Sequence, residues 1–353
     1  AGTGGMLTES LKFLQDNVSK DIKIGLAGQE SEDKIFAVCK SDLMMRGIDP
    51  KHVQSGNTLT DEDHFSNNKF DYILSNPPYG SKWKDFEEDI VKEKNKPNSR
   101  YPCKLPGIGD SSMLFLQHIV SKMHPKDSEK TSRAAIIFNG SPLLNGDAGS
   151  GESEIRKWLI EELDYLETII ALPNDLFYNT GIPTYIWILT NHKSKERKGK
   201  VQLINAVDLC TRLRRGISFK RNKIEEIHID QIKSEYNSFP KKSKISKVFD
   251  TKYFGYAQIT VNRPLKRNYS FTAERIDLVK SQSAFIKLSV STKKESIKNK
   301  EEEEGRKKQD EIISVLKSAN KSKVYNDCKE IEDALTDLFD KSKVEVSKTI
   351  LKA

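Results

Sequence analysis

Two periods alternate along the chain. Met6, Leu7, Leu11 and Leu14 recur at helical spacing behind the run Ala1-Gly-Thr-Gly-Gly5, which predicts a helix entered through a glycine turn. Residues 22–28 (IKIGLAG) predict a strand ending at Gln29-Glu30, and 31–47 a helix with Ser31 as N-cap and Gly47 as its stop. A strand follows at 70–75 (FDYILS), then a capped amphipathic helix over 110–123, a buried strand at 133–138 (RAAIIF) and a helix over 153–163. Three further strands are predicted at 166–172, 184–190 and 200–206. Strands alternating with helices imply an α/β fold, a doubly wound parallel sheet covered on both faces. The last two strands, joined by the short basic stretch NHKSKERKGK, imply an antiparallel hairpin at one edge.

Beyond about residue 208 the alternation fades, so the sequence divides into domains 1–210 and 211–353, the second mixed and then helical. A strand-like piece at 256–264 interrupts a Lys-rich region. Charged helical stretches follow, one with Ile331, Leu335, Leu338 and Phe339 on a single apolar stripe. This C-terminal helical extension reads either as a solvated appendage or as a partner-docking assembly arm.

Composition narrows the classes. With 353 residues, 36% hydrophobic and 31% charged, the chain can bury a sizeable core, and no apolar run approaches the roughly 20 residues of a membrane span. Cys39, Cys103, Cys210 and Cys328 lie far apart without a C-x-x-C pair, so neither a zinc site nor a disulfide framework is expected, and a cytoplasmic setting is. The net charge of +8 permits attraction to a phosphate backbone.

The strand at 70–75 runs into Asn76-Pro77-Pro78-Tyr79, where two prolines without N–H donors must end it. Ligands of doubly wound sheets bind outside the carboxyl ends of the strands. There the Asn76 side chain and the Pro77 carbonyl offer two acceptors on a stiff backbone. They suit a planar amine conjugated to a ring, such as the exocyclic amine of adenine. Holding both hydrogens favours a pyramidal nitrogen and aims its lone pair at an electrophile, while Tyr79 offers a face for stacking. Earlier in the chain, Gly2, Gly4 and Gly5 permit close approach of a ligand at a helix N-terminus. Glu30 is placed to accept from ribose hydroxyls, and the loop SGNTL (55–59) precedes the strand that carries the clamp. The order glycine loop, ribose acid, adenine-side loop and amine clamp reads as an S-adenosylmethionine site followed by a target-amine site.

The stretches AGTGGMLTES, AGQE, GNTL, FDYILSNPPYGS, DSSMLFLQHIV, RAAIIFNGSPLL, SEIRKWLIE and LETIIALPNDLFYNTGIPTYIWIL together resemble the methylation subunits of type I restriction-modification systems, which are adenine-N6 DNA methyltransferases. The resemblance covers roughly residues 1 to 210. It implies that Gly2, Thr3, Gly4, Gly5, Glu30, Asn57 and Asn76 serve S-adenosylmethionine, that Asn76, Pro77, Pro78 and Tyr79 form the catalytic clamp, and that Tyr79 and Phe177 contact a flipped adenine in double-stranded DNA. It implies no metal. It further implies specificity and restriction subunits as partners. Asn57 stands where related methyltransferases often carry Asp. In that family a first, central strand and an Asp-Pro pair precede the glycine loop, whereas this chain begins inside the loop. The expectation is therefore a sheet parted between its Glu30 side and its Asn76 side, and a chain that as written is inactive or marginally folded. Two other readings fit the clamp: methylation of a protein glutamine amide, and a non-catalytic methyltransferase-like scaffold.

Overall fold

The computed structural model describes residues 1–351 apart from 61, 242, 263–266 and 294. It forms two compact units, Ala1–Gln258 and Ile259–Ala353.

The first unit opens with helix α1 (Gly5–Asn17), entered through Gly4 in the left-handed conformation at φ 85°. Strand β1 (Gly28–Glu30), helix α2 (Asp33–Met45) and strand β2 (Val53–Ser55) follow, with β2 parallel to β1 and Glu30 opposite Ser55. Cys39, Leu43 and Val53 form a small core between them. Of the strand predicted at 22–28 only Gly28 is realised, and the N-cap of α2 is Glu32 rather than Ser31.

The chain then runs through β3 (Tyr72–Ser75), α3 (Glu87–Lys94), α4 (Ser112–Lys122), β4 (Arg133–Phe138), α5 (Ser141–Leu144), α6 (Gly151–Lys157), β5 (Leu166–Ala171), β6 (Tyr185–Thr190) and β7 (Lys200–Asn205). A hairpin of β8 (Thr211–Ile217) and β9 (Lys220–Lys223) leads to α7 (Glu226–Asn237) and β10 (Ser246–Asp250). Six of these strands make one sheet in the order β10-β7-β5-β6-β4-β3. β3, β4, β5 and β7 share one direction, while β6 and β10 run against it. The α/β class expected from the sequence is present.

One pairing differs from the expectation. β6 and β7 do not pair, because β5 lies between them, and the edge beyond β7 is taken by β10. The reason is burial. β6 carries Trp187 and Leu189, both essentially inaccessible, with Trp187 edge-on to Phe138 at 5.4 Å. A strand that apolar belongs in the sheet interior, and here it sits antiparallel to β4 on one side and β5 on the other. The antiparallel hairpin is thus β5–β6.

At the other edge β3 pairs with β4 alone, leaving Tyr72 at 76% and Leu74 at 50% exposure, and β1–β2 is a separate two-stranded sheet. No strand pairing joins the Glu30 side and the Asn76 side among the described residues.

The second unit contains α8 (Ala273–Val279), α9 (Ser283–Ile286), α10 (Glu295–Ser318), α11 (Cys328–Lys341) and α12 (Lys348–Leu351), with a short antiparallel pair of β11 (Tyr269–Ser270) and β12 (Val324–Tyr325). Ile331 and Phe339 are buried with Phe271, Ile276, Phe285, Ile312 and Leu316, and Leu335 and Leu338 pack against them. The apolar stripe is therefore consumed by this unit's own core and is not a free docking face. Residues 256–262 of the strand-like piece carry no regular structure, and Arg263 and Pro264 lie outside the described residues. The division falls at 258/259 rather than near 210, because α7 and β10 pack on the large sheet.

Candidate active site

The glycine loop and Glu30 are joined directly. Gly2 has φ 59° and Gly4 φ 85°, values that side chains rarely adopt, and a Cβ on Gly4 would stand 2.8 Å from Cys39 Sγ. The loop is thus pressed onto α2 where only hydrogen fits. The Gly2 N–H donates to Glu30 Oε2 at 2.7 Å, the Ala1 nitrogen stands 3.3 Å from the same oxygen, and the Glu32 N–H donates to Oε1 at 3.0 Å. Burial would raise the carboxyl's pKa, but the N–H groups of Glu32 and Gly2 outweigh it and hold Glu30 below the usual range. Each carboxylate oxygen accepts two hydrogen bonds, so Oε1 retains one open acceptor direction.

Asn57 follows β2 in the neighbouring loop, where Gly56 N–H donates to Glu30 O at 3.0 Å. Its side-chain oxygen accepts from Leu59 N–H at 3.0 Å, closing an Asx turn, and its own N–H donates to Glu62 Oε2 at 2.7 Å. One lone pair of the amide oxygen is thereby engaged, while no protein partner within the described residues engages Nδ2.

Sequence reasoning missed what holds this loop in place. Arg100 donates to Thr58 O at 2.6 Å and Thr60 O at 3.0 Å, and Tyr101 OH donates to Leu59 O at 2.9 Å. Two adjacent residues therefore grip three successive carbonyls. Arg100 is held in turn by Glu93, by Asp63 Oδ2 at 3.3 Å and by His118 Nδ1 at 3.0 Å, while Lys122 pairs with Asp63 at 2.6 Å. Burial and the neighbouring Arg100 charge push His118 down to about 3, so its ring is a neutral acceptor. The sequence signal was slight: Gln117-His118 and Lys122 set among the apolar residues of the predicted helix 110–123.

The clamp sits at the carboxyl end of β3. Pro77 is buried, Asn76 is exposed and Gly80 turns the chain at φ 62°. Tyr79 OH donates to Asn76 Oδ1 at 2.6 Å, and burial raises the phenol to about 12, so it stays a donor at neutral pH. No protein donor reaches the Pro77 carbonyl among the described residues. Because β4 and β5 run parallel to β3, Asn139 and the loop 172–184 leave the sheet at the same end as Asn76. Three interstrand spacings, about 14 Å, separate the ends of β3 and β5. Phe177 lies half-buried on that loop, and no ring contact joins it to Tyr79 among the described residues. Thr3 is exposed, and Gly5 begins α1 with open space at its Cα. The structure thus unites Gly2, Gly4, Glu30 and Asn57 in one cluster, and Asn76, Pro77 and Tyr79 in another.

The chain resembles known proteins. The type I restriction enzyme MjaIX methylase subunit of Methanocaldococcus jannaschii is 29% identical over 324 residues, spanning 89% of this chain and 54% of the relative. The HindI methylase subunit of Haemophilus influenzae is 28% identical over 207 residues, 58% of this chain and 43% of its own. The chain spans about half the length of the curated relatives it matches. The methyltransferase subunit of a type I restriction-modification system from Streptococcus thermophilus shares the fold with a TM-score of 0.57 at 24% identity, covering 71% of this chain and 49% of that one. The sequence profile described as N-6 DNA Methylase matches residues 1–276, so that glycine loop, acid, adenine-side loop, clamp and every strand of the large sheet fall inside the match, and the chain belongs to that family.

Proposed function

We propose that the protein to which this chain belongs transfers a methyl group from S-adenosylmethionine to the N6 amine of adenine in DNA, as the modification subunit of a type I restriction-modification system. The observation that carries the reading is the pair of acceptors at the end of β3, Asn76 Oδ1 and the Pro77 carbonyl, one held by a phenol that can yield it and the other free. Double-stranded DNA, a specificity subunit and a restriction subunit are the partners this reading calls for, and the cytoplasm is its setting. Among the described residues no helix is long and apolar enough to cross a membrane.

The residues fit the cofactor. Gly2 and Gly4 hold left-handed turns, Gly4 where a Cβ would meet Cys39, Oε1 of Glu30 keeps one acceptor direction that would take a ribose hydroxyl, and the Asn57 Nδ2 would donate to a heteroaromatic nitrogen. When bound, S-adenosylmethionine supplies the electrophilic methyl group. Asn76 and Pro77 hold the two amine hydrogens, which draws the nitrogen out of the ring plane and frees its lone pair. Tyr79 releases Asn76 as the base enters and offers its face, and Phe177 is a second surface for the flipped ring. Pro78 fixes the turn.

Single-turnover transfer of labelled methyl to a DNA duplex by the full-length protein with its specificity subunit, run beside cofactor calorimetry, tests the reading. Asn76→Ala is expected to slow transfer by about 10²–10³ with cofactor affinity retained. Transfer at the parental rate would leave Asn-Pro-Pro-Tyr as a turn and nothing more.

A further inference from the structure

The hairpin β8–β9 is the most basic element of the first unit. Thirteen residues, 211–223, hold Arg212, Arg214, Arg215, Lys220, Arg221 and Lys223, and no acidic residue occurs between 209 and 224. Isolated basic strands usually find carboxylates nearby. Here only Lys223 does, pairing with Glu225 at 2.6 Å, and the four arginines are exposed with no ion pair among the described residues. The turn carries Ile217 at 61% and Phe219 at 57% exposure.

The hairpin is fixed where it stands. Arg221 and Asn222 N–H groups donate to Asp175 O at 2.9 and 3.1 Å, Asn222 Nδ2 donates to Asn174 O at 3.0 Å, and Phe219 N–H donates to Tyr178 O at 3.3 Å. Lys220 Nζ lies 4.7 Å from the centre of the Tyr178 ring. These anchors are the residues flanking Phe177. At its base the hairpin leads into α7, which Tyr236 ties to the sheet by donating to Glu167 Oε2 at 2.5 Å. The hairpin that carries four unpaired guanidinium groups is therefore anchored to the loop that leaves the sheet at the same end as the clamp.

We propose that β8–β9 is a contact for the phosphate backbone of duplex DNA, in which Arg212, Arg214 and Arg215 neutralise phosphates flanking the target base. Guanidinium forks match phosphate oxygens, and neutralising phosphates releases counterions, so the contact leaves a signature in salt dependence. The inference rests on the reading of DNA as the substrate, and its test is independent of methyl transfer.

The test is fluorescence anisotropy of a labelled duplex titrated with the chain at several salt concentrations, without cofactor. Arg212→Gln, Arg214→Gln and Arg215→Gln combined are expected to lower the slope of log K against log salt by about 2–3 and to weaken binding at least about tenfold near 100 mM salt. The three Arg→Lys changes should restore most of both. Circular dichroism and the melting temperature should not move, since the side chains are exposed. Removing Lys307, Lys308 and Lys317 of the second unit instead should leave the slope intact. An unchanged slope in the hairpin variant, an equal fall in the second-unit variant, or equally tight binding of polyglutamate overturns the proposal. A parental chain whose DNA binding depends on the hairpin but whose full-length protein transfers no methyl group would sink the methylation reading while the hairpin contact stands.

Discussion

A phenol hydroxyl on an amide oxygen at 2.6 Å gives the clamp a resting state in which one acceptor is occupied. An amine that takes the lone pair now held by the phenol must displace it, an exchange that costs about 0.5–1.5 kcal/mol. Tyr79→Phe removes the competitor and keeps the ring, so methyl transfer is expected to stay within a few fold of the parent. Tyr79→Ala removes the face as well and should lose about 1–3 kcal/mol of base capture, seen as a raised KM for DNA with cofactor affinity intact. A hundredfold loss in Tyr79→Phe would show that the hydroxyl itself, not the ring, serves the reaction. Glu30 is the corresponding residue of the proposed cofactor site. Glu30→Ala also strands the Gly2 and Glu32 N–H groups, so calorimetry should show at least about tenfold weaker S-adenosylmethionine binding. Unchanged affinity would remove Glu30 from the site.

Among the elements, the loop 57–60 shows best what the sequence discloses and what it hides. Its turn chemistry is local: Gly56 and Asn57 announce a turn, and Asn57 Oδ1 closes it on Leu59. Its support is not local, since Arg100 and Tyr101 stand some forty positions away and reach it only because α3 and α4 bring Glu93 and His118 around the guanidinium. No periodicity encodes that meeting. By contrast, β4 is legible to the residue because Ala134, Ile136 and Phe138 alternate with the apolar Ala135 and Ile137, and α11 because its stripe repeats at helical spacing. What the stripe could not tell is which surface covers it. The place of β6 was hidden for a related reason: chain order suggests pairing with β7, and only the burial of Trp187 and Leu189 on an interior strand decides otherwise.

The support carries two expectations of its own. Tyr101→Phe loses one buried hydrogen bond and should lower stability by about 1 kcal/mol, with faster amide exchange confined to residues 57–60. His118 gives a pH dependence whose sign is fixed. Its folded pKa of about 3 lies below the unfolded value near 6.5, so below pH 6.5 the unfolded chain binds a proton that the native ring refuses. Stability contributed by the neutral ring is present above pH 6.5 and drains as pH falls toward 3, by up to about 1.4 kcal/mol per pH unit. Chemical denaturation at pH 7 and pH 5 should therefore differ by about 2 kcal/mol more in the parent than in His118→Gln. Equal differences would place the origin of the acid sensitivity elsewhere.

At the scale of the whole molecule, the hydrophobic cores divide at residue 258: those of the first unit, the largest on the six-stranded sheet, lie before it, and the core among α8 to α12 lies after it. A cut must respect them. α10 spans Glu295–Ser318 and crosses the segment after α9 so closely that a Cβ on Gly305 would fall 1.9 Å from Leu288 O, while its Ile312, Ile313, Val315 and Leu316 line the second core. Ending the chain at residue 300 would divide α10 and strip α11 from Phe271, Ile276 and Phe285, leaving an apolar surface that invites aggregation. Ending it at 258 removes the second unit whole. Each core excludes water on its own, so the chain should unfold in two calorimetric transitions, and the 1–258 piece should retain the one assigned to the large sheet with its midpoint shifted by no more than a few degrees. The same piece should bind S-adenosylmethionine as the whole chain does, because Gly2, Gly4, Glu30 and Asn57 all lie in the first unit. It should also keep the salt slope for duplex DNA, since β8–β9 stays with it. A single cooperative transition in the whole chain, or loss of cofactor binding in 1–258 with its melting retained, would mean that the second unit takes part in the site rather than in assembly.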